Sequence, residues 1–125
     1  MNKQEMFNNA YNGVIANGHS FSTVNGCQYR KSGKADSTVR CGIGHNIPDE
    51  LYHPMMEGRG VVKLLNMYPQ LVPHMNLDRE FLMDLQKAHD ESAARRINGY
   101  KHGSIEAFKQ YMGVLAERYG LTIPQ

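Results

Sequence analysis

The sequence predicts an α+β fold: a mostly helical single domain over residues 1–125. Apolar residues recur every three or four positions in long segments, as they do on one face of a helix. Two short runs of strand-favouring residues flank a polar turn, which is typical of a β-hairpin. A chain of 125 residues has the length of one domain and is long enough to bury its own core.

The first predicted helix covers residues 3–17 and ends at Gly18, because glycine readily adopts the left-handed cap conformation. Its apolar positions are Met6, Phe7, Ala10, Tyr11, Val14 and Ile15. Residues 19–26 are rich in Ser, Thr, Asn and Gly and predict a loop.

A small β-hairpin is predicted next, with strands at residues 27–30 (CQYR) and 37–43 (STVRCGI). The intervening KSGKAD is polar and contains glycine, as turns do. In such a hairpin Cys27 and Cys41 would lie on opposite strands.

An irregular loop rich in Pro and Gly follows the hairpin. Pro48 with Asp49 and Glu50 after it suits the start of a short helical turn, which Pro54 ends. The apolar run VVKLLNMY at residues 61–68 predicts a short helix.

Two long helices complete the prediction. Asp78 is a suitable N-cap for the first, which Asn98-Gly99 would end, and the second runs from Ser104 to Tyr119. We expect them to pack antiparallel, with the hairpin and the Pro/Gly loop covering one end. Tyr29, Tyr52 and His89 are expected to meet at that junction. The last helix has an apolar seam that would form either the intramolecular core or a homodimer interface: Ile105, Phe108, Met112, Leu115 and Tyr119.

Three segments share a pattern with a known family. CQYR, CGIGHNIPDELYHPMMEG (41–58) and LQKAHD (85–90) resemble small bacteriophage and prophage proteins with the pattern CxYR, CxxGxxIPDExY, MEG and LQxxHD. The resemblance covers residues 27–58 and 81–93. It implies a phage-type accessory role in the host cytoplasm, and it implies no reaction. His45 and His53 are not part of the family pattern.

Composition excludes several classes of protein. The net charge of +2 gives no broad basic surface of the kind that nucleic-acid binders carry. The sequence contains no run of about 18 apolar residues, so it predicts no membrane-spanning helix. The N-terminus lacks the apolar core of a signal peptide, so we expect a cytoplasmic protein whose two cysteines are free thiols.

Cys27, Cys41, His45 and His53 raise the hypothesis of a zinc site. Structural zinc usually takes two closely spaced ligand pairs, and here only Cys41 and His45 are close in sequence. Two buried thiols are the favoured interpretation, with a redox pair as a further alternative. We therefore predict no metal and no cofactor.

Carboxylates raise a second hypothesis, a small metal-assisted or acid–base hydrolase or nuclease that uses Asp49, Glu57, His89 and Asp90. His89 and Asp90 are weak evidence for a catalytic pair, because neighbours on a helix diverge by about 100°. Structural roles are favoured for each of the four side chains. Asp49 and Glu50 would begin a helical turn, and His89 would lie at the edge of the apolar stripe.

Arg30 has two interpretations. The favoured one is a pair with Glu57 or Asp49 that ties the hairpin to the loop, with Tyr29 buried beside it. In the other, Arg30 with Lys31 and Arg40 would hold an anionic ligand. A basic cluster at Arg95, Arg96, Lys101 and His102 is favoured as a solvated helix end over a nucleic-acid site.

The sequence therefore predicts a non-enzymatic phage-type accessory protein that binds a host protein or a small anionic ligand, for example as an inhibitor of a host defence system. The hydrolase is the alternative. The predicted binding residues are Tyr29, Arg30, Asp49, Glu50, Tyr52, Glu57, His89 and Asp90.

Overall fold

Four α-helices form most of the fold: α1 (Lys3–Asn17), α2 (Val61–Met67), α3 (Arg79–Ala93) and α4 (Ile105–Tyr119). The computed structural model describes residues 1–22, 26–93, 96–97, 100–101 and 104–124, and the side chains of residues 1–20, 28–93 and 104–124. The helices predicted at 3–17, 61–68 and 104–119 are confirmed, as is the start of the long helix after Asp78. Its predicted end at Asn98-Gly99 lies outside the described residues.

Polar residues before the helices bind N–H groups that have no partner within a helix. The Asn2 side chain accepts the N–H of Glu5, whose carboxylate accepts the N–H of Asn2 in return, which forms a capping box. Asp78 and Ser104 each accept the N–H three residues later, at 3.1 Å. Within the part of the chain that is described, no helix is both long and apolar enough to cross a bilayer.

Helices α3 and α4 run antiparallel, as predicted. Arg118, near the end of α4, pairs with Glu80 and Asp84 in the first half of α3. At the opposite end, the N–H of Ser104 donates to the carbonyl of Ser92 at 3.2 Å. Helix α1 packs against both. The largest fully buried apolar side chains are Met6, Phe7, Ile43, Met56, Leu64, Leu71, Phe81, Leu82, Leu85, Phe108 and Met112.

The apolar seam of α4 belongs to this intramolecular core. Phe108 and Met112 are fully buried and Leu115 nearly so. Of the two alternatives for the seam, the structure therefore shows the intramolecular one. The seam is therefore not available as a homodimer interface.

The predicted α+β class is wrong, because the described residues contain no sheet that could form a layer of the core. They contain only two antiparallel pairs of two-residue segments: β1 (Phe21–Ser22) with β2 (Gly26–Cys27), and β3 (Arg96–Ile97) with β4 (Tyr100–Lys101). Segments this short lack the length of a core-forming strand. The fold is helical.

The predicted hairpin between residues 27–30 and 37–43 is also wrong. One backbone hydrogen bond joins the two segments, from Cys41 N–H to Gln28 O at 3.2 Å. A second joins Lys31 N–H, just past the first segment, to Val39 O at 3.0 Å, but no ladder forms. The chain bends directly after the first run, at Lys31–Gly33, where Ser32 has φ 61°.

Close packing bends the second run. A Cβ on Gly44 would lie 2.1 Å from the carbonyl oxygen of Tyr29, and one on Gly42 would lie 2.9 Å from that of Leu85. The glycines therefore let residues 41–46 pack tightly between residue 29 and α3. Tertiary contacts have overridden the strand preference of the sequence.

The Pro/Gly loop is built from short 3₁₀ turns at Gly44–Asn46, Asp49–Leu51 and Pro54–Met56. Pro48 directly precedes the second, so a helical turn forms where the sequence predicts one. The side chain of Asn46 fixes the first turn to α1, because its amide donates to the carbonyl of Met6 at 3.2 Å. The loop is thereby positioned over the helical core.

The two ends of the described chain are joined by one side chain. The amide nitrogen of Gln4 donates to the carbonyl of Thr122, and its amide oxygen accepts the N–H of Thr122, both at 2.9 Å. Gln4 thus pairs with the Thr122 backbone as a neighbouring strand would.

Candidate functional site

A polar cluster joins the Pro/Gly loop to residues 29–30. We call it the Glu57–Arg30 lock, and it consists of Tyr29, Arg30, Asp49, Tyr52 and Glu57. Most of the predicted binding residues lie in it.

Glu57 lies at the centre of the lock. Its Oε1 accepts the N–H of Tyr29 at 2.9 Å, and its Oε2 accepts the N–H of Arg30 at 2.9 Å and the hydroxyl of Tyr52 at 2.6 Å. Burial and the bond to Glu57 raise the pKa of Tyr52, so the hydroxyl stays protonated and donates. Three donors occupy this carboxylate, which leaves it poorly placed to act as a general base.

Arg30 is fully buried and links the polar turn at residue 35 to the Pro/Gly loop. Its guanidinium donates to the carbonyls of Ala35 at 2.6 Å and Ile47 at 2.8 Å, and it pairs with Asp49 at 3.1 Å. It also lies over the ring of Tyr52, 4.6 Å from the centroid. Burial and Arg40 lower the pKa of Arg30, while Asp49 raises it. The predicted Arg30–Asp49 pair is confirmed.

Asp49 holds a second guanidinium. Arg40 pairs with the same carboxylate oxygen at 3.1 Å and donates through Nε to the carbonyl of Ser37 at 2.8 Å. The arginines that would hold an anionic ligand are therefore both engaged by Asp49. Lys31 and Glu50 are exposed, and neither side chain has a hydrogen bond or ion pair with the described residues.

His89 and Asp90 lie outside the lock, in a second cluster on α3. We call it the histidine clamp: His19, Ser20, His89, Asp90 and Ser92. The fully buried His89 accepts the N–H of Ser20 at Nε2, at 3.0 Å. Its proton must then be on Nδ1, which donates to Asp90 at 3.0 Å. Tyr29 and Tyr52 meet through Glu57 as predicted, but His89 joins the clamp instead.

His19 completes the clamp, with its ring centroid 5.0 Å from that of His89. The Ser92 hydroxyl donates to the carbonyl of Ala88 at 2.8 Å, so it accepts the Nε2–H of His19 at 2.7 Å. Burial and the neighbouring His89 lower the pKa of His19 to about 4. Sequence reasoning missed His19. The available signal was Ser92, a polar residue within the apolar stripe of a helix.

The residues of the zinc hypothesis have separate contacts. Burial raises the pKa of the Cys41 thiol to about 12, which disfavours the thiolate that zinc binds. His53 is exposed and accepts the N–H of Met55 at 3.0 Å. Cys27 lies outside the described side chains. Among the side chains that are described, no three His, Cys, Asp or Glu cluster in a way that could hold a metal ion.

His45 packs its ring on α1, where a Cβ on Gly13 would lie 2.4 Å from it. Its Nε2 is buried without a described partner, and burial lowers its pKa to about 4. The side chains of the predicted basic cluster, Arg95, Arg96, Lys101 and His102, lie outside the described ones.

The predicted site residues thus form two groups rather than one. No hydrogen bond or ion pair joins the lock to the clamp among the described side chains, although Tyr29 and Asp90 line the same cleft of about 250 Å³. Comparisons of the chain with protein-family models, curated proteins and solved structures return no match.

Proposed function

We propose that this chain is a small non-enzymatic accessory protein that binds a partner protein in the cytoplasm of a bacterial host. The observation that carries the proposal is the full engagement of Glu57 and His89, the side chains best suited to acid–base chemistry. A general base needs a lone pair within hydrogen-bond reach of its substrate. The bacteriophage resemblance supports the setting, and a host defence protein is one partner of this kind.

The contacts favour binding over hydrolysis. A hydrolase that used Asp49, Glu57, His89 and Asp90 would have to break bonds to Arg30, Tyr52 and the backbone of residues 20, 29 and 30. Asp49 and Asp90 are each exposed or partly exposed and keep one carboxylate oxygen outside these contacts, but they belong to separate clusters, the lock and the clamp. Loss of the other contacts would destabilise the loop before it freed a catalytic group.

A protein partner is favoured over a small anion. Binding of a phosphate or carboxylate would require the guanidiniums of Arg30 and Arg40, which already pair with Asp49 and donate to backbone carbonyls. Lys31 alone would give a single, fully solvated charge, and such contacts contribute little.

The test is affinity capture on the immobilised full chain from host lysate, with mass spectrometry of bound proteins and of bound small molecules. We expect one host protein to be enriched over a heat-denatured control and to bind again after purification. Recovery of a small anion without a protein would contradict the proposal.

A turnover assay separates the hydrolase alternative. The wild type and Asp90→Asn would be incubated with ester and phosphodiester substrates, with Glu50→Gln as the matched control because Glu50 is exposed and without a described contact. We expect no turnover by any of the three proteins. Activity lost in Asp90→Asn and kept in Glu50→Gln would show that the chain is an enzyme.

A further inference from the structure

Four grooves on the described surface share lining residues and form one continuous surface across α2, α3 and α4, which we call the α3 face. The largest, about 530 Å³, lies between the start of α2 and the middle of α3. It shares Asp84 and Lys87 with a groove of about 320 Å³ between α3 and α4. It shares Val62 with a third groove of about 180 Å³ and Asp90 with the cleft beside Tyr29.

Large apolar side chains are exposed at three of these grooves. Leu77 is 61% exposed, Met83 56% and Val114 68%. A single exposed apolar residue is common on a protein surface, whereas several on connected grooves mark an interaction site. The buried Val61 and the half-buried Val62 add an apolar floor between these grooves.

Among the described side chains of the α3 face, the carboxylates are paired, whereas several cations are not. Its acidic residues all have partners: Asp84 pairs with Arg118, Asp90 with His89 and Glu91 with Lys87. The cations Arg59, Lys63 and Arg79 line the same grooves, and none has a carboxylate within 4.0 Å among the described side chains. The apolar floor is therefore bordered by unpaired positive charge.

We propose that the α3 face binds an amphipathic helix of the partner protein, apolar on one side and bordered by Asp and Glu. This inference rests on the proposed function and names the chemistry of the partner. Apolar side chains at i, i+3, i+4 and i+7 would fill the grooves, as in other helix-in-groove complexes. The flanking carboxylates would pair with Lys63 and Arg79, which adds specificity and speeds association.

Other occupants fit less well. Two copies of the chain that met through this face would bring the same unpaired cations together. Nucleic-acid binding requires many contacts between cations and phosphates, whereas this face exposes the apolar side chains of Leu77, Met83 and Val114.

The test uses nuclear magnetic resonance of the ¹⁵N-labelled full chain with three synthetic helical peptides of about 18 residues, long enough for five turns. One carries Leu at i, i+3, i+4 and i+7 with Glu elsewhere, the second replaces Glu by Lys, and the third scrambles the first. We expect saturable shifts at Val61, Val62, Met83 and Lys87 with the acidic amphipathic peptide, and weaker or no shifts with the others.

A pair of charge-reversal variants tests the surface itself. Lys63→Glu/Arg79→Glu places carboxylates in the first turns of α2 and α3, where the helix dipole favours them, so the variant should fold. We expect it to bind the acidic peptide about tenfold more weakly than wild type, because two attractive pairs become repulsive. The matched control is Lys34→Glu/Lys109→Glu, which makes the same change in net charge at exposed residues outside the face and should retain most of the affinity.

Several results would overturn the inference. One is the absence of shifts with up to about 1 mM acidic peptide, a concentration that corresponds to a binding free energy of only about −4 kcal/mol. Another is a set of shifts confined to another surface. Equal binding of the Glu and Lys peptides, or equal losses of affinity in the two charge-reversal variants, would also contradict it. A host protein that is captured equally by wild type and Lys63→Glu/Arg79→Glu would refute the inference and leave the proposed function standing. Failure to capture any host protein would count against the proposed function itself.

Discussion

The Glu57–Arg30 lock and the α3 face differ in how their polar groups are used. In the lock, the carboxylate of Glu57 accepts three hydrogen bonds and the guanidinium of Arg30 meets two carbonyls and a carboxylate. On the α3 face, Lys63 and Arg79 have no ion-pair partner within the described part of the chain. The polar side chains that are densest in the sequence therefore stabilise the fold, whereas the cations of the α3 face are the ones that the proposed partner would contact.

The comparison has an energetic consequence. Removal of one member of a buried polar network leaves its partners unsatisfied, which costs more free energy than the bond itself contributes. Surface substitutions away from such networks usually change stability little. Substitutions in the lock should therefore alter folding, and substitutions on the face should alter binding alone.

The largest effect is expected for Glu57→Ala. It leaves the N–H groups of Tyr29 and Arg30 and the hydroxyl of Tyr52 without their acceptor, so we expect a loss of about 3 kcal/mol in the free energy of unfolding. Urea denaturation measures it. Glu50→Ala, an exposed carboxylate of the same loop, is the control and should lose almost nothing. Equal stability of the two variants would mean that the lock contributes little.

Gly44→Ala should have the next largest effect. Its Cβ would lie 2.1 Å from the carbonyl oxygen of Tyr29, so backbone must move, and we expect a loss of about 2 kcal/mol. Gly113→Ala is the opposite case, because nothing lies within 4 Å of that Cβ in α4. It should stabilise the protein by about 0.5 kcal/mol through helix propensity. Thermal unfolding compares them, and a stable Gly44→Ala would contradict the close packing.

The pH dependence of stability should come from two half-buried histidines, His19 and His45. The pKa values of His19 and His45 are lowered to about 4, against about 6.5 in the unfolded chain. Between these values the unfolded state binds more protons, so stability falls as pH decreases from about 6.5 to about 4. Each histidine contributes a slope of up to about 1.4 kcal/mol per pH unit.

Denaturation at several pH values in His19→Gln checks this. The variant should show a smaller slope than wild type, whereas His53→Gln, which alters an exposed ring, should keep the slope unchanged. An identical slope in His19→Gln and wild type would show that the clamp does not hold His19 neutral.

The smallest effect is expected for Lys63→Glu/Arg79→Glu. Because neither cation has an ion pair within the described structure, stability should stay within about 0.5 kcal/mol of wild type. A loss comparable to that of Glu57→Ala would mean that the face, too, is part of the structural network.

Much of the helical framework could be predicted from the sequence. The spacing of apolar residues and the capping residues are local features of the sequence. Helix ends can therefore be identified without knowledge of the fold, here at Asn17-Gly18, Asp78, Ser104 and Gly120. The hairpin failed because the contacts of Gly42 and Gly44 with Leu85 and Tyr29 are long-range, and no local pattern reports them.

The candidate site followed the same division. The pair of Arg30 with a carboxylate could be predicted, because a buried guanidinium must find an anion. Which carboxylate pairs with Arg30 could not be predicted. Glu57 accepts backbone N–H groups of residues 29 and 30, and Asp49 pairs with the Arg30 guanidinium. The α3 face could not be predicted, because no sequence pattern shows whether an exposed cation has an ion-pair partner.

The pairing of Gln4 with Thr122 bears on the order of folding. These residues are 118 positions apart, the largest separation among the hydrogen bonds of the described residues, so their contact closes a long loop at a high cost in chain entropy. We expect it to form after the transition state. Gln4→Ala should then speed unfolding while leaving the refolding rate unchanged, which stopped-flow kinetics would show as a shift in one arm of the chevron. The contact between Gln4 and Thr122 would then form late in folding and slow the unfolding of the native state.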